Sequence, residues 1–258
     1  MDCYNCGATL NRKTRSAEHI LPNSIGGKRK AFNLLCKTCN EKFGRSIDND
    51  LAFKLARFYT LLNTEGPAPK TNTTPGARKD GKIAAHERFI ASVKKDRTFA
   101  GSTGYFRAIA KICLNYYLSK GYPRQHCETI RSFIRGGNAD HIYQYYAPEH
   151  KAVHDPGENE VSHILHIRGS KESGILYAYI ELFNMQNLVF IFSLDYDGEE
   201  LNATYCRDII KNEEPVKNIQ LDLTREQLEN PELSSVEMEV RLFPRFERLM
   251  HIIQSNTP

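Results

Sequence analysis

The chain has 258 residues, of which 40% are hydrophobic and 26% charged, a balance that predicts a folded protein and excludes a disordered one. Residues 1–150 carry a net charge of +13, and residues 151–258 carry −9. The basic part suits a polyanionic partner such as nucleic acid, although a solvated surface would give the same count. The longest mainly apolar stretch, residues 188–194, is too short to cross a membrane, and residues 1–3 show no signal-peptide pattern. These features predict a cytoplasmic protein with no membrane contact.

The sequence predicts an α+β protein that begins with a small finger in residues 1–62. From Asn40 onward, apolar residues recur at steps of three or four, which predicts a helix that completes this finger. Residues 63–82 are rich in Pro, Gly, Thr and Lys, and they are typical of a basic linker or mobile loop. Residues 83–258 then form a predicted α+β domain.

This predicted α+β domain changes its hydrophobic period along the chain. Residues 84–137 have a helical pattern, residues 160–223 a β pattern, and residues 243–254 the apolar stripe of a terminal helix. Because the connections between strands are short, we expect a C-terminal antiparallel β meander. The helices predicted in the middle part are residues 105–120 and 126–135, and the predicted strands are residues 160–168, 174–183, 187–194 and 201–210.

Four of the seven cysteines form two matched pairs, Cys3-x2-Cys6 and Cys36-x2-Cys39, with 29 residues between the pairs. A two-residue gap lets both thiolates of a pair reach one ion, and two pairs complete a tetrahedral zinc site. Such a site has no open position, so the predicted zinc is structural; the alternative is four unrelated buried thiols. The remaining cysteines are expected to be small buried side chains: Cys113, Cys127 and Cys206.

Residues 17–44, which include the second cysteine pair, read AEHILPNSIGGKRKAFNLLCKTCNEKFG. In order, a CxxC, EHILP, a Gly-Gly turn, NLLCxxCN and a following helix resemble the HNH endonuclease motif, in the variant with an extra four-cysteine zinc site. The resemblance covers residues 3 to about 45, under a fifth of the chain. It implies a ββα-metal finger that hydrolyses DNA and leaves 5′-phosphate and 3′-hydroxyl ends.

The resemblance also implies a role for each matching position. His19 would lie on the first strand as the general base, and Asn33, near the second strand, would hold its imidazole by a hydrogen bond. Glu18 would bind the catalytic ion, together with a carbonyl oxygen from Asn40, where the family often has histidine. Oxygen ligands favour Mg²⁺ or Mn²⁺, and a histidine that titrates near neutrality suits a general base.

Other roles are open for the same residues. His19 could be a strand histidine held by a hydrogen bond in the core, and Asn40 could be a helix N-cap. Glu18 could be a surface partner of Arg15 or Lys13. Two further histidine pairs are rejected as metal sites, the first because prolines flank it and the second because strand geometry separates its side chains: His150 with His154, and His163 with His166.

Basic side chains around the motif are the predicted nucleic-acid contacts. The turn at residues 26–30 either presents backbone amides and cations to a phosphate or is only a hairpin turn. The predicted contact residues are Lys28, Arg29, Lys30, Lys42 and Arg45.

These observations predict a metal-dependent HNH endonuclease that cleaves DNA. A short nuclease head joined to a longer tail suggests, by analogy of architecture alone, a bacterial restriction or anti-phage effector. The acidic C-terminal half is expected to recruit a protein partner or to self-associate. The alternative is a non-catalytic, zinc-stapled nucleic-acid-binding protein, because the same cysteine pairs and the same basic half would serve it.

Overall fold

The computed structural model describes residues 1–62, 101–138, 140–146, 156–229 and 235–255, and in the last range it describes side chains from residue 242 onward. The predicted linker at residues 63–82, the start of the predicted helical region and the pair His150 and His154 lie outside these residues. No helix in the described part combines the length and the apolar character that a bilayer-spanning segment needs.

The N-terminal part is a short β hairpin followed by two helices. Strand β1 (Glu18–His19) pairs antiparallel with β2 (Lys30–Ala31), and α1 (Lys37–Arg45) and α2 (Ile47–Leu62) follow. The predicted ββα arrangement is therefore confirmed. The single helix predicted from Asn40 is wrong at both its start and its continuity, because Cys36 caps α1 and Ser46 interrupts it.

The interruption at Ser46 has a local physical reason. Its backbone leaves the helical region, with φ −120° and ψ −101°, and its hydroxyl donates to the carbonyl oxygen of Lys42 at 2.8 Å. A serine that bonds to the preceding turn competes with the helical hydrogen-bond pattern. The chain therefore starts a second helix rather than extending the first.

The middle part is built around a buried helix, α3 (Thr103–Ser119), followed by a 3-10 turn (Arg124–Cys127) and α4 (Glu128–Arg135). The Ser102 hydroxyl caps α3 by accepting the Tyr105 N–H at 3.1 Å. Helix α3 is buried almost all around, including the polar residues Lys111 and Asn115. The two helices predicted here are thus confirmed, the second one shortened by its 3-10 start.

The C-terminal part consists of five strands and two helices: β3 (Tyr143–Tyr145), β4 (Ser162–Ser170), β5 (Ile175–Leu182), β6 (Gln186–Ser193), β7 (Leu201–Asp208), α5 (Arg225–Glu229) and α6 (Ser235–Ser255). The strands form one antiparallel sheet in the order β3-β6-β5-β4-β7. All four strands of the predicted meander are confirmed, and the fold class is α+β. The fifth strand, β3, was not predicted; its Tyr143 stacks on Phe106 of α3 with ring centroids 4.3 Å apart.

A continuous hydrophobic cluster extends from Cys3 at the N-terminus to Ile253 in α6. Leu51 and Leu55 of α2 belong to this cluster, together with Ile109 of α3. A second cluster covers the other face of the sheet. The first sixty residues therefore share their core with the middle helices and one face of the sheet, and this shared core places α3 against the hairpin.

Candidate nuclease site

The four cysteines of the two pairs converge in the structure. The Sγ atoms of Cys3, Cys6, Cys36 and Cys39 all lie within 4.8 Å of one another. A tetrahedron with Zn–S bonds of about 2.3 Å has S–S edges of about 3.8 Å. The Cys6 and Cys36 Sγ atoms are 3.8 Å apart, so the donor set fits a zinc ion in both chemistry and spacing.

N–H groups donate hydrogen bonds to the sulfur atoms of this cluster, and such bonds favour the thiolate form that binds a cation. The Asn5 side-chain amide donates to Cys39 Sγ at 3.1 Å, and the Cys39 N–H donates to Cys36 Sγ at 3.4 Å. Burial raises the pKa of Cys3, but backbone N–H groups from both pairs bring it down to about 7. Burial raises the pKa of Cys39 to about 12. Buried thiolates need a compensating positive charge, which a bound zinc ion would supply.

Strand β1 places two adjacent side chains in different surroundings. Glu18 is buried at 5% exposure, whereas His19 is half-buried and faces the side of the hairpin occupied by its cross-strand neighbour Lys30. Burial, and then the positive charges of Lys30 and Lys28, lower the pKa of His19. Within the described part of the chain, no group forms a hydrogen bond with the imidazole. The core-histidine alternative for His19 therefore has no bond to support it.

Glu18 belongs to a buried charge cluster with a lysine from α3. The Lys111 ammonium lies 2.5 Å from Glu18 Oε1 and 2.8 Å from Asp48 Oδ2. Burial raises the pKa of Glu18, an increase that the Lys111 charge opposes. Burial lowers the pKa of Lys111, but Asp48 and Glu18 outweigh it and raise that pKa. One cation is thus shared by two carboxylates, and the alternative of a surface pair with Arg15 or Lys13 is wrong.

Asn115, one turn after Lys111, connects the same strand to the cysteine cluster. Its side-chain amide donates to Glu18 Oε1 at 3.1 Å and to the backbone carbonyl of His19 at 3.4 Å. Its own oxygen accepts the hydroxyl of Tyr4, which lies inside the first cysteine pair, at 3.0 Å. Helix α3 therefore holds β1 through two polar side chains, although it lies outside the motif.

Of the side-chain oxygens expected to bind a catalytic ion, one oxygen of Glu18 already accepts hydrogen bonds from protein groups. Both hydrogen bonds to the Glu18 carboxylate fall on Oε1, and no described residue bonds to Oε2. Asn40 is half-buried in the second turn of α1, and no described group bonds to its side-chain amide. The N-cap alternative for Asn40 is wrong, because Cys36 caps the helix and accepts the Asn40 N–H at 3.0 Å. One carboxylate oxygen and one amide oxygen suit a hard divalent ion.

Asn33 lies just after β2 but does not reach the histidine. Its side chain is exposed and forms no hydrogen bond with His19. Its backbone carbonyl instead accepts a bond from the Arg124 guanidinium at 3.5 Å. The expected hydrogen bond by which Asn33 would orient the His19 imidazole is therefore not formed in this structure.

The turn at residues 26–30 docks on the sheet. The Gly26 carbonyl accepts a bond from Arg207 of β7 at 3.1 Å, and the preceding Ile25 carbonyl bonds to His163 of β4 at 2.9 Å. Gly26 itself has φ +92°, a conformation that favours glycine. These contacts give the turn a structural role and account for His163 without a metal.

The expected nucleic-acid contacts are spread over two surfaces. Arg29 pairs with Glu214 at 3.1 Å and lies over the Tyr205 ring, so the sheet holds it in place. Arg45 lies 3.9 Å from Glu41 and is 84% exposed. The other three expected contacts are exposed: Lys28, Lys30 and Lys42.

Sequence reasoning missed Lys111 and Asn115 as parts of the site. Both lie in a helix whose apolar face was recognised, and they are 2% and 1% exposed. A lysine and an asparagine four residues apart share a helix face. That spacing, inside a helix that is otherwise strongly apolar, was the available signal, but nothing local names their partners.

Residues 3–56 match the sequence family described as HNH endonuclease. The match covers about a fifth of the chain and includes all four cysteines, both strands of the hairpin, α1 and much of α2. No curated protein and no solved structure matches the chain.

Proposed function

We propose that this chain, whose residues 3–56 form an HNH endonuclease domain, is a metal-dependent DNA endonuclease in which His19 is the general base. The observation that carries the proposal is the place of His19. It lies half-buried on β1 of the matched segment, and no described group forms a hydrogen bond with its imidazole.

The surroundings of His19 suit proton transfer from water. Because burial and nearby lysines lower its pKa, the imidazole is neutral near pH 7 and can accept a proton. The same lysines place positive charge on the face that a scissile phosphate would approach. Lys30, directly across the hairpin, is the nearest of them in register.

Glu18 Oε2 and the Asn40 side-chain oxygen are the proposed ligands for Mg²⁺ or Mn²⁺. A divalent ion there would supply charge compensation for the phosphorane and the leaving oxygen. Lys111 and Asn115 would keep Glu18 oriented through Oε1. Asn33 would join the site only after moving toward His19.

The wider role is also a proposal. We place the enzyme in the cytoplasm as a restriction or anti-phage effector, supported by the architecture of a small nuclease finger attached to a larger α+β body. The acidic C-terminal half would bind a protein partner or a second copy. DNA would contact Lys28, Lys30, Lys42 and Arg45 through its phosphates.

One observation favours the alternative of a non-catalytic, zinc-stapled nucleic-acid-binding protein. Lys111 already forms an ion pair with Glu18, and Asn33 does not contact His19, so the catalytic set is incomplete in this structure. The cysteine cluster and the basic surface would serve that function equally.

Cleavage of supercoiled plasmid separates the two functions. Wild-type protein is incubated with Mg²⁺, with Mn²⁺ or with EDTA, and the product ends are mapped by end labelling. We expect nicked or linear DNA with 5′-phosphate ends in the presence of either ion and none with EDTA. Plasmid binding without cleavage under every ion would support the binding protein instead.

A further inference from the structure

A cleft of about 660 Å³ extends from the β hairpin to the C-terminal end of α3. One wall is β2 and the residues after it, and the other is residues 118–124, which lie outside the matched segment. We call it the basic cleft, after its principal lining residues Arg29, Lys30, Phe32, Asn33, Lys120 and Arg124.

The side chains that line the basic cleft carry charge of one sign. They include four cationic groups and, among the described residues, no aspartate or glutamate, although Arg29 is paired with Glu214, which is not part of the lining. The Arg124 guanidinium is fixed by donating to the backbone carbonyls of Asp2 at 2.6 Å and Asn33 at 3.5 Å. These carbonyls orient the cation without cancelling its charge. The basic cleft is therefore suited to bind a polyanion such as a phosphodiester backbone.

Phe32 adds an exposed aromatic ring to this cationic surface. It is 49% exposed, and the Arg15 guanidinium lies 5.5 Å from its ring centroid. An aromatic ring among cations is the combination by which proteins bind single strands, because bases stack on the ring while cations follow the phosphates. A base inside a duplex already has both faces covered by its neighbours. Phe32 is thus suited to an unpaired base.

The basic cleft lies next to the proposed active site. Lys30 lines the cleft and pairs in register with His19, and Ile20, the residue after His19, also lines it. A strand that leaves the scissile phosphate at His19 would enter the cleft directly.

We propose that the basic cleft binds an unpaired nucleic-acid strand, so that the preferred substrate carries a single-stranded segment beside the cleavage point. The place of this strand in the reaction rests on the proposed nuclease function. Its binding does not, because the cleft residues act on backbone and base rather than on the reacting atoms.

Binding of fluorescent oligonucleotides tests the proposal without cleavage. His19→Ala protein, in buffer without chelator and without added Mg²⁺ or Mn²⁺, is titrated into a labelled single strand, the matching duplex and a forked duplex, and anisotropy gives each Kd. The variant is Phe32→Leu, which keeps an apolar side chain and removes the ring. Phe53→Leu is the matched control, since Phe53 is 87% exposed on α2 and does not line the cleft.

We expect the single strand and the fork to bind more tightly than the duplex. Phe32→Leu should weaken single-strand binding roughly tenfold, leave duplex binding unchanged and be rescued by Phe32→Trp. Phe53→Leu should change nothing. Equal affinity for all three DNAs, or an unchanged single-strand Kd in Phe32→Leu, would overturn the proposal. Plasmid cleavage by the wild type is scored separately, so a failed nuclease and a failed cleft are distinguished.

Discussion

The finger of residues 1–62 and the five-stranded sheet are stabilised in different ways. The finger has two strands of two residues each, four converging thiols and a buried charge cluster. The four long strands of the sheet have eight or nine residues, and β4, β5 and β6 are buried on both faces along nearly their whole length. Apolar burial tolerates small changes in volume, whereas a metal site or a buried charge fails when one member is removed. The proposed chemistry therefore lies in the region whose local structure relies on a cysteine cluster and a buried ion pair.

Helix α3 and the sheet nevertheless restrain the finger. Lys111 and Asn115 hold β1, while His163 and Arg207 hold the turn that follows it. The finger is thus fixed from two sides by residues distant in sequence. Substitutions in each group should separate the contributions.

The largest expected effect is that of Cys36→Ser. The variant should lose bound zinc and unfold the finger, because structural zinc supplies about 10–16 kcal/mol in small finger peptides. Metal analysis of the purified protein and hydrogen exchange of residues 1–62 would measure it. Cys206→Ser, a buried cysteine outside the cluster, should keep its zinc. Full zinc in Cys36→Ser would refute the four-thiolate site.

Lys111→Met should have the next largest effect. It leaves the buried Glu18 and the half-buried Asp48 without their cation, a loss of about 3–5 kcal/mol in the free energy of unfolding. Urea denaturation measures it, with Lys120→Met, at the exposed C-cap of the same helix, as the control. The double variant Lys111→Met with Glu18→Gln should recover part of the loss. A Lys111→Met protein as stable as the wild type would mean that the cluster does not hold β1.

The tie between the turn and the sheet should depend on pH. Burial lowers the pKa of His163 from 6.5 to about 4, and the Phe183 N–H donates to its Nδ1, so it is neutral in the folded state. As the pH falls below 6.5 the unfolded state takes up the proton first. Stability present above pH 6.5 is therefore lost toward pH 4, by about 3 kcal/mol from this group.

Urea denaturation at several pH values would show that dependence. His163→Gln, which cannot titrate, should flatten the pH dependence by that amount, whereas His251→Gln on the exposed side of α6 should not. An identical pH dependence in His163→Gln and wild type would contradict the assignment.

Arg29→Gln should have the smallest effect. Its ion pair with Glu214 joins the hairpin to the chain after β7, but the Arg29 side chain is 46% exposed. Pairs that solvent reaches contribute about 0–1 kcal/mol. We expect a change in the thermal midpoint near the limit of detection, and a loss comparable to that of Lys111→Met would show that the turn is held by charge.

Local patterns in the sequence predicted much of the molecule. The four strands of the meander follow from alternation and short turns, and the four-cysteine cluster from the spacing of Cys3, Cys6, Cys36 and Cys39. The break at Ser46 was missed because the apolar repeat continues through it. Strand β3 was missed because it has only three residues, too few to show a strand pattern in the sequence. Its position is determined by packing on α3.

The polar contacts of the site could not be predicted, because they join residues far apart in sequence. Lys111 is 93 residues from Glu18, and His163 is 138 residues from Ile25. Motif reasoning put Glu18 beside an ion, but only the fold shows that a lysine neutralises it. For the same reason, the sequence did not predict that residues 118–124 form one wall of the basic cleft.

The most direct test of the account is the single-turnover rate of plasmid nicking by wild type and His19→Ala, with Mg²⁺ or Mn²⁺ and saturating enzyme. If His19 is the general base, the rate should fall by at least about a hundredfold. Zinc content and DNA affinity should remain those of the wild type, since His19 belongs to neither the cysteine cluster nor the core. Nicking by His19→Ala at the wild-type rate would contradict the account.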